Sequence, residues 1–470
     1  MTNQIKKVGV IGAGTMGAGI AGQVANAGVE VWLLDLPSDG ENVNSLAAKG
    51  LERLKDPDMP GLMSEEAEKL IKIGNTRDHF QELEDCDWIA EAVVERLDIK
   101  QSLYQRLNES CKEATIITSN TSTIPISLLT KGMPKKFCER FAITHFFNPV
   151  RFMRLLELVR GEFTRDDVIN TLDLFSETML GKGVVSCSDT PGFLANRVGV
   201  FAIQCALHKA FEYKLSPTEA DAFFGRPLGL PKTGVFGLYD LIGIDLMADV
   251  VKSLVSILPE NDVFHKYSSP IEIMTDMIAN GQTGNKNEKG FYKQVGDERQ
   301  VIDLSSGNYG VHERLKTPLL EEAEKIGISF IIKDTSIYGL YIWDVISETL
   351  CYAASLVPEV TDDLTQIDDA MKLGYNWVQG PFELLDEIGI EYFVDRLKVD
   401  GRDVPEFLLK GINNKFYNNS ESGLSSLSPD GNLKPIMRPD GVLRFSEVRQ
   451  TLKAINSNES ASWFEYEGAA

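Results

Sequence analysis

The sequence predicts a parallel α/β domain followed by a mainly α-helical half in which one helical unit is duplicated. Three observations predict it. Strand-length apolar runs alternate with helical periodicity as far as about Cys187. A glycine-rich turn, Gly12-Ala13-Gly14-Thr15-Met16-Gly17, joins the first strand to the first helix. Beyond Cys187 strand signals fade, and GVFGLYDLIGID at 234–245 returns without a gap as GPFELLDEIGIE at 380–391.

Val8 to Ile11 reads as the first buried strand, and the small residues from about Gly17 to Ala27 read as the first helix. Val29 to Leu34 is the second strand and ends at Asp35. Residues 41–73 read as a charged helical pair interrupted by KDPDMPG. Trp88 to Val94, Thr115 to Thr118 and Phe141 to Thr144 are further strands, with Leu155 to Val159 expected at an edge. Leu97 to Glu113 has helical periodicity. The segment 281–310 reads as a connector, and the last thirty residues as a helix with a polar tail. The expected units are residues 1–186, 187–295, a degenerate second helical copy at 296–450, and a tail at 451–470. DTPGFLANR at 189 has a degraded counterpart, DTSIYGLYI, at 334. The counterpart lacks the Asn196-Arg197 pair, so chemistry is expected in the first copy alone.

Composition narrows the function. A net charge of −22 argues against broad nucleic-acid binding, because a phosphate backbone would be repelled. None of the six cysteines forms a CxxC pair, so neither a zinc site nor a redox motif is expected, and scattered single thiols suit a reducing cytoplasm. The N-terminal apolar run is a short strand rather than a signal core, and no run of about 18 apolar residues predicts a membrane span.

The glycine turn carries a mechanism. Gly12 permits the tight turn, Gly14 lets backbone approach a pyrophosphate, and Gly17 lets helix and strand pack closely. The helix N-terminus then offers unpaired N–H groups to the phosphates. Asp35, about 20 residues on, is placed to accept ribose hydroxyls. A carboxylate there would repel a 2′-phosphate, so the Rossmann-type reading favours NAD over NADP.

Further along stand Ser119-Asn120-Thr121-Ser122-Thr123, then His145-Phe146-Phe147-Asn148-Pro149, then Glu157, then Asp189-Thr190-Pro191-Gly192-Phe193-Leu194-Ala195-Asn196-Arg197. Singly, each has a structural explanation: a packed histidine, a turn serine, a solvated carboxylate, a capping asparagine. In this order, with GAGTMG, they closely resemble the 3-hydroxyacyl-CoA dehydrogenase family over about residues 5–295, and GNKNEKGFY at 284–292 matches the end of that family's helical domain. The duplicated helical domain is similar to the long, multifunctional fatty-acid oxidation members.

The resemblance implies oxidation of (3S)-3-hydroxyacyl-CoA to 3-oxoacyl-CoA with NAD. It implies His145 as general base, Glu157 as the residue orienting it, and Ser122 and Asn196 as hydrogen-bonding groups for the reacting oxygens. Gly12, Gly14, Thr15, Met16, Gly17, Asp35 and Asn120 would contact the cofactor, Glu95 and Lys100 cofactor and substrate, and Asn148 would hold the His145 loop. Thr123 replaces a frequent serine, and Arg151 and Arg154 replace apolar or lysine residues. Lys49, Arg53 and Lys55 are candidates for the adenosine end of CoA, beside the alternative of a solvated helix face. The expected partner is an acyl-CoA substrate, with no nucleic acid. The chain is expected as a monomer or homodimer, with membership of a β-oxidation complex also open. A small hydroxy-acid or sugar-acid dehydrogenase on the same scaffold, or a non-catalytic subunit, are the competing readings.

Overall fold

The computed structural model describes residues 5–465 except 413, 421, 422, 440, 441, 443, 446, 448–451, 459 and 460. Eight strands build the N-terminal sheet: β1 (Lys7–Ile11), β2 (Glu30–Asp35), β3 (Ile71–Asn75), β4 (Trp88–Glu91), β5 (Ile116–Ser119), β6 (Phe141–Phe146), β7 (Leu155–Arg160) and β8 (Gly183–Ser188). Their order is β3-β2-β1-β4-β5-β6-β7-β8. Neighbours run parallel except β6 and β7, which pair antiparallel. Strand order reverses at β1, so the loops after β1 and β4 open a crevice where α/β sheets bind ligands.

Val8, Val10 and Ile11 are fully or almost fully buried, as a central strand covered on both faces requires. The helix that follows, Thr15–Asn26, buries Ala18, Ile20, Ala21 and Val24 against the sheet. Two edge strands differ from the sequence reading. Residues 71–73 belong to β3, not to a helix: Ile71 and Gly74 are buried while Lys72 points to solvent, a half-buried edge alternation too short for periodicity to reveal. Leu155 to Val159 is not at the edge, because β8 pairs beside it. β8 runs to Ser188, across the boundary expected at 187.

The C-terminal half is led by two long helices, Ala195–Glu212 and Ile337–Ser355, which pack on each other. Each opens a helical unit. The segment read as a connector is a three-stranded antiparallel sheet, Tyr292–Val295, Glu298–Ile302 and Tyr309–Val311. A second such sheet, Tyr417–Ser420, Gly423–Leu427 and Leu433–Pro435, closes the second unit. The duplication extends to hydrogen bonds. Asp221 accepts from Phe236 N and Gly237 N, and Asp368 from Phe382 N and Glu383 N. Asp240 accepts from Phe291 N and Tyr292 N, and Asp386 from Phe416 N and Tyr417 N. In the tail, Asn456–Ser457 pairs with Ser462–Trp463; much of the helix expected before it lies outside the described residues. One hydrophobic cluster runs from Ile11 through both helical units to Leu427, and a second fills the other face of the sheet. Among the described residues, no helix is long and apolar enough to cross a membrane.

Candidate active site

The crevice starts at the end of β1. Gly12 has φ +99°, and a Cβ there would lie 2.4 Å from Ala92 O. A Cβ at Gly17 would lie 1.7 Å from Gly12 O, so helix and turn meet without side chains. Around Gly14 the situation is opposite: nothing lies within 4 Å of where its Cβ would stand. The helix beginning at Thr15 has no side-chain cap, leaving its first N–H groups available to an anion. Asp35 closes the loop from below, accepting from Ala13 N at 2.6 Å and from Leu36 N at 2.7 Å. The open cradle at Gly14, the uncapped helix and the half-buried carboxylate fit the pyrophosphate and ribose of NAD.

The chemistry-bearing groups come from the ends of β4, β5 and β6. The antiparallel register of β6 and β7 sets His145 directly opposite Glu157. His145 Nδ1 lies 2.7 Å from Glu157 Oε2. The other oxygen of Glu157 accepts from Leu194 N at 3.0 Å and Ala195 N at 2.7 Å, the residues that open the long helix of the first unit. Glu157 is fully buried and His145 is 7% exposed. A carboxylate that is only an acceptor keeps the proton on Nδ1, which leaves the Nε2 lone pair free.

A cavity of about 390 Å³ is lined by His145, Ser122, Asn196, Asn120, Asn148, Met16, Glu95 and Lys100, closed by Phe146 and Phe147. The structure thus brings His145, Ser122 and Asn196 to one space with Glu157 behind, while Gly12, Gly14, Thr15, Gly17 and Asp35 form the adjoining turn. Asn120 Oδ1 accepts from Phe146 N at 2.9 Å, so Asn120, rather than Asn148, fixes the strand end that carries His145. Asn148 lines the cavity instead.

Lys100 lines the cavity too, but its ammonium is committed. It donates to Glu91 at 2.7 Å and lies 3.2 Å from Glu95, with 1% of its side chain exposed. Glu91, fully buried, also accepts from Tyr104 OH at 2.5 Å, Ser119 Oγ at 2.7 Å and Val93 N at 2.8 Å. Glu95 accepts from Thr121 Oγ1 and from Thr123 Oγ1. This network holds the loop that presents Asn120 and Ser122. Sequence reasoning missed Glu91; the available signal was an acid in the apolar run WIAEAVV at a strand end.

It also missed Tyr375, which comes from the second unit. Its buried hydroxyl donates to Asn196 Oδ1 at 3.3 Å, and burial, then the nearby Glu157, push the phenol upward. With Oδ1 engaged, the Asn196 amide nitrogen is left for the cavity. Arg197 ties the two units together through Asp262, Glu359 and Tyr352. The remaining basic candidates divide. Lys55 pairs with Glu52 and Glu68, Arg53 reaches Ala13 O at 3.4 Å, and Lys49 is exposed. Arg151 donates to Pro60 O and Leu62 O, pinning the end of the KDPDMPG insertion, while Arg154 is exposed.

A mainly parallel sheet with a glycine turn at its switch point is the arrangement of dinucleotide-binding domains, and here a carboxylate-backed imidazole lies beside it. The family model for the 3-hydroxyacyl-CoA dehydrogenase NAD binding domain matches residues 7–190, and that for the C-terminal domain of the same enzymes matches residues 192–294. The chain belongs to the 3-hydroxyacyl-CoA dehydrogenase family.

It is similar to a Rickettsia prowazekii protein named for the trifunctional enzyme of a fatty acid oxidation complex, with 40% identity over 82% of this chain and 53% of that one. A Bacillus subtilis protein, named "Probable 3-hydroxyacyl-CoA dehydrogenase", is 33% identical over 98% of this chain and 61% of its own. The chain therefore spans between half and two thirds of the length of these relatives. The crystal structure of an Escherichia coli 3-hydroxybutyryl-CoA dehydrogenase shares the fold, with TM-score 0.65, 24% identity, and coverage of 87% of this chain and 98% of that one.

Proposed function

We propose that this chain oxidises (3S)-3-hydroxyacyl-CoA to 3-oxoacyl-CoA in fatty-acid β-oxidation. The single observation that carries the reading is His145, backed by Glu157 at 2.7 Å and lining one cavity with Ser122 and Asn196 beside the glycine turn. Bound NAD supplies the hydride acceptor.

The chain's own groups do the rest. His145 Nε2 takes the proton of the substrate 3-hydroxyl as the C3 hydrogen departs with its electron pair, and returns it in the reverse direction. Glu157 holds the ring in the tautomer with Nε2 free and stabilises the imidazolium that forms. Ser122 Oγ and the Asn196 amide hydrogen-bond the reacting oxygen or the thioester carbonyl, steadying charge and pose. Asp35 accepts the ribose hydroxyls, with Gly12, Gly14, Thr15, Met16, Gly17 and Asn120 along the dinucleotide. Lys100 and Glu95 act through the network that holds the Ser122 loop. Of the basic candidates for the adenosine end of CoA, Lys49 is exposed and, among the described residues, carries no ion pair. We place the enzyme in the cytoplasm, as a monomer or homodimer; the six free cysteines and the internal pairing of helical units support this reading.

The test is loss of NADH absorbance with acetoacetyl-CoA and longer 3-oxoacyl-CoA substrates. Wild-type chain turns over. His145→Gln retains NADH binding and loses about 10²- to 10⁴-fold in kcat. Absence of turnover with every 3-oxoacyl-CoA tried overturns the proposal, and undiminished turnover in the variant overturns the assigned base.

A further inference from the structure

The two helical units differ sharply at one equivalent place, where the small sheet meets the helices before it. Shared hydrogen bonds align the units residue by residue. Tyr292 OH donates to Asp221 at 2.8 Å, and Tyr417 OH to Asp368 at 2.9 Å. His312 N donates to Arg299 O, and Ile436 N to Leu424 O. Through these matches Ala222 corresponds to Asp369, Gly237 to Glu383 and Arg314 to Arg438.

In the second unit the place is filled from within. Arg438 pairs with Asp369 at 3.0 Å and with Glu447, Arg444 also pairs with Asp369, and Lys372 pairs with Glu383 at 2.8 Å. Only about 20 Å³ of cavity remains. In the first unit, alanine and glycine stand where Asp369 and Glu383 would be, and a cavity of about 550 Å³ is open.

Arg226, Lys232, Arg299, Arg314 and His312 line it, in a chain whose net charge is −22. Arg314 comes no nearer to Glu324 than 4.0 Å, and Arg299 lies over the Tyr292 ring at 4.1 Å. Among the described residues, Arg226, Lys232 and Arg299 have no carboxylate within ion-pair distance. Three acids share the wall, and Glu324 is the one at ion-pair distance, from Arg314. Asp221 and Asp240 spend their oxygens on backbone N–H groups and Tyr292, and burial pushes them up to about 7 and about 6. The second unit shows what this architecture accepts there: carboxylate oxygens on the arginine. The volume lies in the range of small-molecule sites, and several arginine and lysine groups around one space suit a doubly charged phosphate chain better than one carboxylate.

We propose that the open cavity of the first helical unit binds a small molecule carrying a pyrophosphate group, held by Arg226, Lys232, Arg299 and Arg314, in the place that the second unit fills with its own acids. The site is separate from the His145 cavity, and the proposal stands whether or not the assigned dehydrogenase chemistry does.

Calorimetric titration of the full chain with inorganic pyrophosphate, and separately with ADP, tests it. Ala222→Asp installs the second unit's acid, and Arg314→Ala removes one cation. Neither touches the glycine turn, so binding lost in them belongs to this cavity. The expected result is saturable binding that weakens about tenfold or more in each variant, with acetoacetyl-CoA turnover unchanged. Tighter binding of ADP than of pyrophosphate assigns a nucleotide ligand, and equal binding a free pyrophosphate; both support the proposal. No saturable binding, or equal binding in wild type and both variants, overturns it. Displacement of pyrophosphate by a lower concentration of hexaglutamate also overturns it, in favour of an acidic protein segment.

Discussion

Glu157 does two jobs with two oxygens: one faces His145 Nδ1, and the other caps the backbone N–H groups of Leu194 and Ala195. Replacement by Gln separates them. The amide oxygen is drawn to the two N–H donors, which turns the NH₂ toward Nδ1. The ring must then accept at Nδ1, which puts its proton on Nε2 and removes the base. Glu157→Gln is expected to fold, bind NADH and lose roughly 10²- to 10⁴-fold in kcat; stopped-flow hydride transfer with acetoacetyl-CoA measures it, and near-normal rates would remove Glu157 from the mechanism. At this scale the sequence was informative where motifs name residue types: Ser122, His145, Glu157 and Asn196 do converge. It was silent where burial decides the role. Lys100 reads as a ligand-contacting cation until the structure shows its ammonium between Glu91 and Glu95, and nothing in a string of letters marks Glu91 as the hub of four hydrogen-bonding groups.

Elements place these groups. β6 and β7 pair antiparallel, which alone makes His145 and Glu157 direct neighbours across two strands. The central strands were legible because burial on both faces produces continuous apolar runs. The edge strands β3 and β8 were not, since half-exposed segments such as IKIGN and GVVSCS carry little periodicity. The small sheets escaped for a similar reason: Glu298–Ile302 and Tyr417–Ser420 are short and mostly polar. The helical duplication was visible, but not its consequence for the site. The end of the helix Leu364–Gly374 inserts Tyr375 so closely that a Cβ on Gly199 would lie 2.1 Å from its ring. Tyr375 is thus a positioning residue acting through Asn196. Tyr375→Phe keeps the packing and removes the hydrogen bond, and is expected to lower kcat about three- to tenfold, the kinetic equivalent of roughly 1 kcal/mol. KM for NADH should stay put. In an Asn196→Ala background the same change should have little further effect, because coupled residues are non-additive. Equal losses in both backgrounds would mean that Tyr375 acts on the fold alone.

Across the whole molecule, one hydrophobic cluster joins a face of the sheet to both helical units. The pH dependence of stability follows from carboxyls in that folded mass. Burial pushes Asp173 up to about 6, Asp221 up to about 7 and Asp240 up to about 6, from an ordinary value of 3.8, and also raises Asp189 and Asp386. The folded chain then holds protons that the unfolded chain has released. Stability from these groups is complete below about pH 4 and is lost as pH rises through about 6 to 7. Asp87, Asp344 and Asp369, which basic partners or N–H donors hold below the usual range, act in the opposite sense, but only as pH falls beneath about 4. Between these limits the raised carboxyls outnumber His208 and His312, which burial lowers from 6.5 and which act in the opposite sense, and the growing negative charge of the chain adds to the carboxyls' trend. The urea midpoint is therefore expected to fall steadily from about pH 4.5 to about pH 7.5. Asp173 has no hydrogen-bonding partner among the described residues; Glu177 stands one turn on along the helix Asp166–Thr178, and Arg444 lies nearby. Asp173→Asn keeps its shape without the charge, and should flatten the slope. A midpoint that rises over this window, or a variant as steep as wild type, would show that buried carboxyls do not set the stability of this fold.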